Sequence, residues 1–242
     1  MNRFLALTIL TTVALAAPAA DPDVTIDLGP RKAEATPSRA GFSHTGGGNI
    51  YVKAGGPDSV TVTMTGVAVA GGHPLKASVA AILFDLTQDF EVKVAKPEIK
   101  RVEIALDARL TGLLRSHRGG GSAGITCPAH AVIVPWGVGG AALVEVGFPA
   151  RSVAGGDNLS INDRVGPVTA IVPPGKFTLH QVFGVQAAHP KCVLPCKAAS
   201  AEFAPDPALD PLWISAFEPF HGVDKKDFGF QVTIRVAPAN GK

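Results

Sequence analysis

The sequence predicts an all-β fold, an antiparallel β-sandwich of one or two lobes with little helix. Three observations carry that prediction. Short runs of alternating apolar and polar side chains recur along most of the chain. Clusters of Gly, Pro, Asn and Asp separate them. Only one stretch, Pro97 to Leu114, has the composition of a substantial helix. With 46% hydrophobic and 17% charged residues in 242, the chain has ample apolar surface for a real core.

Taken in order, residues 1–20 read as an export signal rather than as part of the fold. Arg3 supplies the positive start, Phe4 to Leu15 an apolar run, and Ala14-Leu15-Ala16 or Ala17-Pro18-Ala19 the small residues that suit cleavage. The run falls short of the roughly 20 apolar residues a bilayer span needs. An exported protein is therefore expected, periplasmic, cell-surface or extracellular, with no membrane attachment after the signal is cleaved.

Strands are expected at Val24–Leu28 and Asn49–Lys53. Ser59 to Thr65 alternates hydroxyl and apolar side chains, which places Val60, Val62 and Met64 on one buried face. Further strands are expected at Val79–Leu86, Phe90–Val94, Ala131–Val134, Leu143–Phe148, Val168–Val172, Phe177–Val185 and Phe228–Val236. Within Pro97–Leu114 the apolar residues fit a helical stripe, but Val102, Ile104, Leu106, Ala108 and Leu110 also fall on one face of a strand. The all-β surroundings favour the strand. The glycine-rich stretch from Arg118 to Gly124 reads as a flexible boundary. It divides the chain into an N-terminal lobe (21–117), a linker (118–126) and a C-terminal lobe (127–242).

The segment Val172-Pro173-Pro174-Gly175-Lys176-Phe177-Thr178-Leu179 places Pro174-Gly175 at the centre of a tight turn and sends Phe177 and Leu179 together into the core. This resembles the turn-and-strand motif repeated in immunoglobulin-like and prealbumin-like sandwich domains of secreted bacterial proteins. The resemblance implies a fold class and brings no catalytic residues with it, because such domains serve as adhesion, spacer and binding modules.

Charge and chemistry narrow the function. A net charge of +2 without a dense Lys/Arg block argues against nucleic acid and anionic membranes as partners. An exported chain with three cysteines is expected to oxidise two of them. Cys192 and Cys196 form the favoured local bridge, with Cys127 bonded to one of that pair as the alternative. A transition-metal set of His189, Cys192 and Cys196 with Cys127 and His130 is a weaker reading, because the spacing is not a tight metal signature.

Asp157, Asn158, Asn162 and Asp163 offer oxygen donors of the kind calcium prefers, although turn-capping explains the same residue types. No other cofactor is expected. The G-x-S-x-G pattern at Gly120–Gly124 lacks the strand before and helix after that a nucleophile elbow needs, so no catalytic residue is assigned.

Tyr51, Trp136 and Trp213 are the side chains available to stack on a sugar ring. Core packing, with the polar tip bonded to a partner, is the competing expectation for each. Convergence of Trp136, Trp213, His180 and the Asp157–Asp163 segment on one cleft would unite these sites. The function expected is a non-catalytic exported sandwich serving envelope structure, adhesion or ligand binding, with a glycan or an envelope protein as partner. The alternative is a secreted hydrolase on the same scaffold, acting on glycans or esters.

Overall fold

Period-two alternation is clearest in the central strands at Ser59–Ala70 and Ser78–Val94. In the computed structural model Val60, Val62 and Met64 are buried on one side of their strand, while Thr61 and Thr63 face outward. Val102, Ile104, Leu106, Ala108 and Leu110 are likewise all buried on a strand, so the ambiguous segment is strand and not helix. The structure describes residues 22–41, 44–72, 76–116, 121–137, 140–191, 198–203 and 228–239. Among them are twelve strands and no helix, and hence no helix long and apolar enough to cross a membrane.

Two six-stranded antiparallel sheets share these strands. Sheet A has the order β1 (Val24–Ala40), β4 (Ser78–Val94), β10 (Gly175–His189), β6 (Ser122–Pro135) and β7 (Val144–Phe148), with the short β8 (Ser152–Ala154) also pairing with β6. Sheet B places β2 (His44–Gly56) beside β3 (Ser59–Ala70), then a shared lane, then β5 (Val102–Arg115) and β9 (Asn158–Val172). The shared lane holds β11 (Ala199–Phe203) and β12 (Gly229–Pro238) end to end. Phe203 stands opposite Gly66 and Phe230 opposite Met64, so two pieces of chain distant in sequence continue one strand position.

The linker expected at 118–126 is replaced, from Ser122 onward, by the first residues of β6, which pair with both β8 and β10. The glycines there serve close approach rather than flexibility. A Cβ on Gly124 would come within 2.9 Å of the Arg151 carbonyl oxygen. Both sheets draw strands from either side of this point, so the described residues form one sandwich instead of two lobes. Val79–Leu86 and Phe90–Val94 likewise merge into the single strand β4.

Phenylalanines fill the space between the sheets. Phe84 stacks on Phe183 at 5.9 Å, and Phe183 meets Phe203 and Phe230 at 5.1 and 5.9 Å. Phe84 lies in a notch of sheet B made by Gly48 and Gly66, where a Cβ would stand 2.4 and 2.6 Å from its Cζ. At the turn between β9 and β10, Phe177 and Leu179 both enter the core, as the Pro-Gly motif predicts, and Phe177 packs on Phe90 at 5.6 Å.

The outer faces carry opposite charge. Cross-strand register puts Asp27, Glu34, Asp85, Asp89, Glu91 and Glu145 on the outside of sheet A with Lys32, Lys93 and Lys176. On sheet B the outward charges are Lys53, Arg109, Arg164 and Arg235 against Glu103 and Asp107, with Arg115 and Glu202 offsetting one another at one end. The near-neutral chain is thus an acidic face backed by a basic one.

Candidate functional site

At one end of sheet A's outer face, a groove of about 300 Å³ runs between Trp136 and the segment Asp27–Pro30, floored by Asp89, Glu91 and Lys176. Its wall on the β1 side is a bulge. Leu28 pairs with Phe90 and Arg31 with Gln88, so Gly29 and Pro30 together oppose Asp89. The buried Gln88 fixes that bulge by donating from Nε2 to the carbonyls of Gly29 (3.0 Å) and Pro30 (3.3 Å).

The opposite wall is Trp136, the first residue past β6. Its backbone N–H donates to the Lys176 carbonyl at 3.1 Å, and Gly137, at φ +71°, turns the chain away. Core packing was the competing expectation for Trp136 and Tyr51; both are instead about half exposed, at 52% and 53%. The reason for Trp136 is its place beyond Pro135, where the alternation that buries Ile133 has ended.

Asp89 organises the groove. One carboxylate oxygen accepts from Thr178 Oγ1 at 2.7 Å and the other from the Trp136 indole N–H at 3.3 Å. Lys176 Nζ lies 5.3 Å from the Trp136 ring centroid, within cation–π range. At the rim, Lys93 bonds Asp27 at 2.5 Å and lies 4.0 Å from Glu91. The hydrogen bond and then the charge of Asp27 hold the Lys93 ammonium above its ordinary pKa. The groove therefore offers an aromatic ring held in place by its own N–H, bordered by carboxylates and the ammoniums of Lys176 and Lys93. That set suits a ligand with an apolar face and hydroxyl edges.

Asp89, Lys176, Thr178 and the β1 bulge escaped the sequence reading. A usable signal was present for two of them. Phe177 and Leu179 point inward, so Lys176 and Thr178 must point outward on either side of Phe177.

The other sequence candidates lie elsewhere. Tyr51 is on the outer face of sheet B, opposite Thr63. His180 is on the outer face of sheet A, its Nδ1 3.3 Å from Thr87 Oγ1, and it does not line the groove. Asp157 precedes β9, and Asn158, Asn162 and Asp163 lie on it, in sheet B, so the set that was to share one cleft with Trp136 is divided between the sheets.

Alternation sends Asn162 and Asp163 to opposite sides of β9. Asn162 accepts from Arg109 (3.2 Å) and Asp163 pairs with Arg151 (2.6 Å). The Asp157 carbonyl accepts from the Ser116 backbone N–H at 2.9 Å. Among the described residues no three His, Cys, Asp or Glu side chains gather as a metal site.

Cys192, Cys196 and Trp213 lie outside the described residues. Cys127 is half-buried and has no disulfide partner among the described residues; its thiol pKa is pushed up, first by burial and then by the charge of Asp85. It stands opposite Gly184 on the outer side of β10, whereas His189 faces inward further along that strand, so the sheet separates two members of the transition-metal set. Comparison with family models, with curated proteins and with solved structures finds no match to this chain.

Proposed function

We propose that this chain is a non-catalytic exported binding module that holds a glycan against Trp136 on the acidic face of sheet A. The observation that carries the reading is the half-exposed indole, tethered through its N–H to Asp89 beside a groove. An indole joins a large apolar ring to one polar N–H, so a ring held by that N–H and left exposed beside a groove suits a ligand with an apolar face. The carboxylates support binding over turnover. Both oxygens of Asp89 are engaged in holding Trp136 and Thr178, and Asp27 is ion-paired with Lys93. Export rests on residues 1–20, a Cys192–Cys196 bridge on the oxidising compartment, and the immunoglobulin-like or prealbumin-like kinship on the Pro-Gly turn.

A glycan array, followed by calorimetry with the best ligand, tests this reading. Trp136→Ala is expected to weaken binding about tenfold, the factor that corresponds to 1.4 kcal/mol of lost contact. Unchanged affinity in that variant overturns the site. Turnover of chromogenic glycosides or esters that is lost with a single acid substitution replaces the binding module with a hydrolase.

A further inference from the structure

On the opposite side of the sandwich, independent of Trp136, we propose a second binding site, one for an acidic glycan bearing carboxylate or sulfate groups. A groove of about 390 Å³ lies on the outer face of sheet B, lined by Asp107, Arg109, Asn162, Arg164, Gln231 and Thr233. Asp107 is only 8% exposed although it faces outward. Its carboxylate accepts from Arg164 through Nε at 3.1 Å and Nη2 at 2.5 Å, and Arg235 Nη1 lies 3.7 Å from the same Oδ2. One carboxylate thus fixes the Arg164 guanidinium by two hydrogen bonds, lies within ion-pair distance of a second guanidinium, and balances only one of the two charges.

Fixing the Arg164 fork in advance lowers the ordering cost of binding, and a planar fork matches carboxylate or sulfate oxygens two at a time. Arg164 and Arg235 keep 63% and 54% of their side-chain surface exposed, so their outer edges are open to a ligand.

Register extends the site. Tyr51, Thr63, Gln231, Arg109 and Arg164 are successive cross-strand partners and form one row across sheet B. The row covers four inter-strand steps, about 19 Å. It begins at a half-exposed phenol, passes a hydroxyl and an amide, and ends at guanidiniums. A folded acidic protein would need only the charge. The ring and the neutral hydrogen-bonding groups favour a chain that presents hydroxyls and apolar ring faces together with its anions.

The test is calorimetry on the full chain with three tetrasaccharides of equal length: one of uronic acids, one sulfated, and one neutral. Poly-glutamate of matched charge is the fourth ligand. Either acidic sugar, or both, is expected to bind and the neutral one to bind far more weakly; which acidic sugar is tighter identifies the anion. Raising salt from about 20 to about 300 mM weakens the interaction by screening.

Arg164→Gln with Arg235→Gln is expected to reduce affinity at least tenfold, and Tyr51→Ala a few-fold, while Trp136→Ala leaves it unchanged. Should the double variant fail to fold, Arg235→Gln alone keeps the test, since its contact with Asp107 is the longer one. Absence of binding by both acidic sugars overturns the proposal, as does equal affinity in the arginine variants. Equally tight binding of poly-glutamate overturns it too, by showing a face that reads charge alone. A loss with Trp136→Ala would instead place the anion on sheet A.

Discussion

Each outer face of this sandwich is organised by a single outward aspartate, and the two aspartates hold different partners. Asp89 on sheet A accepts from neutral donors, the Trp136 indole and the Thr178 hydroxyl, so its negative charge remains and the face stays acidic. Asp107 on sheet B accepts from Arg164 and lies near Arg235, so its charge is more than balanced and the face is basic. Alternation alone yields two polar faces. Their recognition properties come from which side chain a carboxylate finds on the neighbouring strand. A net charge of +2 conceals this division.

Both faces depend most heavily on the core that backs them. Phe84 is fully buried, stacks on Phe183 of its own sheet and fills the Gly48–Gly66 notch of the other. Phe84→Ala is expected to cost about 3–5 kcal/mol of unfolding free energy, measured by urea denaturation. Both faces should lose their ligands together when the variant unfolds. A cost below about 1 kcal/mol would mean that the sheets are not locked at this point.

Much of this core was legible in the sequence, and the reason is geometric. Val60, Val62, Met64 and the Val102–Leu110 series declare their face by period two alone. What escaped depends on register between distant segments. Asp89 meets Trp136 and Thr178 across three strands, and Asp107 meets Arg164 and Arg235 across three others. No local pattern states those pairings. The error also ran the other way. Asp157, Asn158, Asn162 and Asp163 are close in sequence and suggested a common cation, yet extended backbone divides Asn162 from Asp163. The Arg118–Gly124 stretch reads as flexible because composition does not distinguish a glycine that bends from one that, like Gly124, admits a neighbour.

Sheet A alone is perturbed by Thr178→Val. The substitution keeps the shape of a nearly buried side chain but removes the hydrogen bond to Asp89, a bond to a charged acceptor. A loss of about 1.5 kcal/mol is expected in chemical denaturation. With one of its two tethers gone, Asp89 should orient the indole less firmly, which fluorescence anisotropy in a Trp213→Phe background would detect as faster motion of Trp136. Anion binding on sheet B should not change. Unaltered stability and anisotropy would show that Asp89 does not organise the groove.

The smallest effect is expected between the faces, where Gln181 sits on β10 as a fully buried polar side chain. Its Nε2 reaches the Phe230 carbonyl only at 3.5 Å, and its Oε1 has no hydrogen-bond partner among the described residues. A buried carbonyl oxygen without a partner carries the cost of its lost hydration, and the long N–H contact returns little of it. Methionine has nearly the same length and volume and no polar atom to satisfy, so Gln181→Met should raise stability by about 1 kcal/mol and leave both outer faces as they are. Thermal unfolding of the variant is the measurement. A decrease in stability would show that the amide does more than occupy space, and that Gln181 is part of how the two sheets find their alignment.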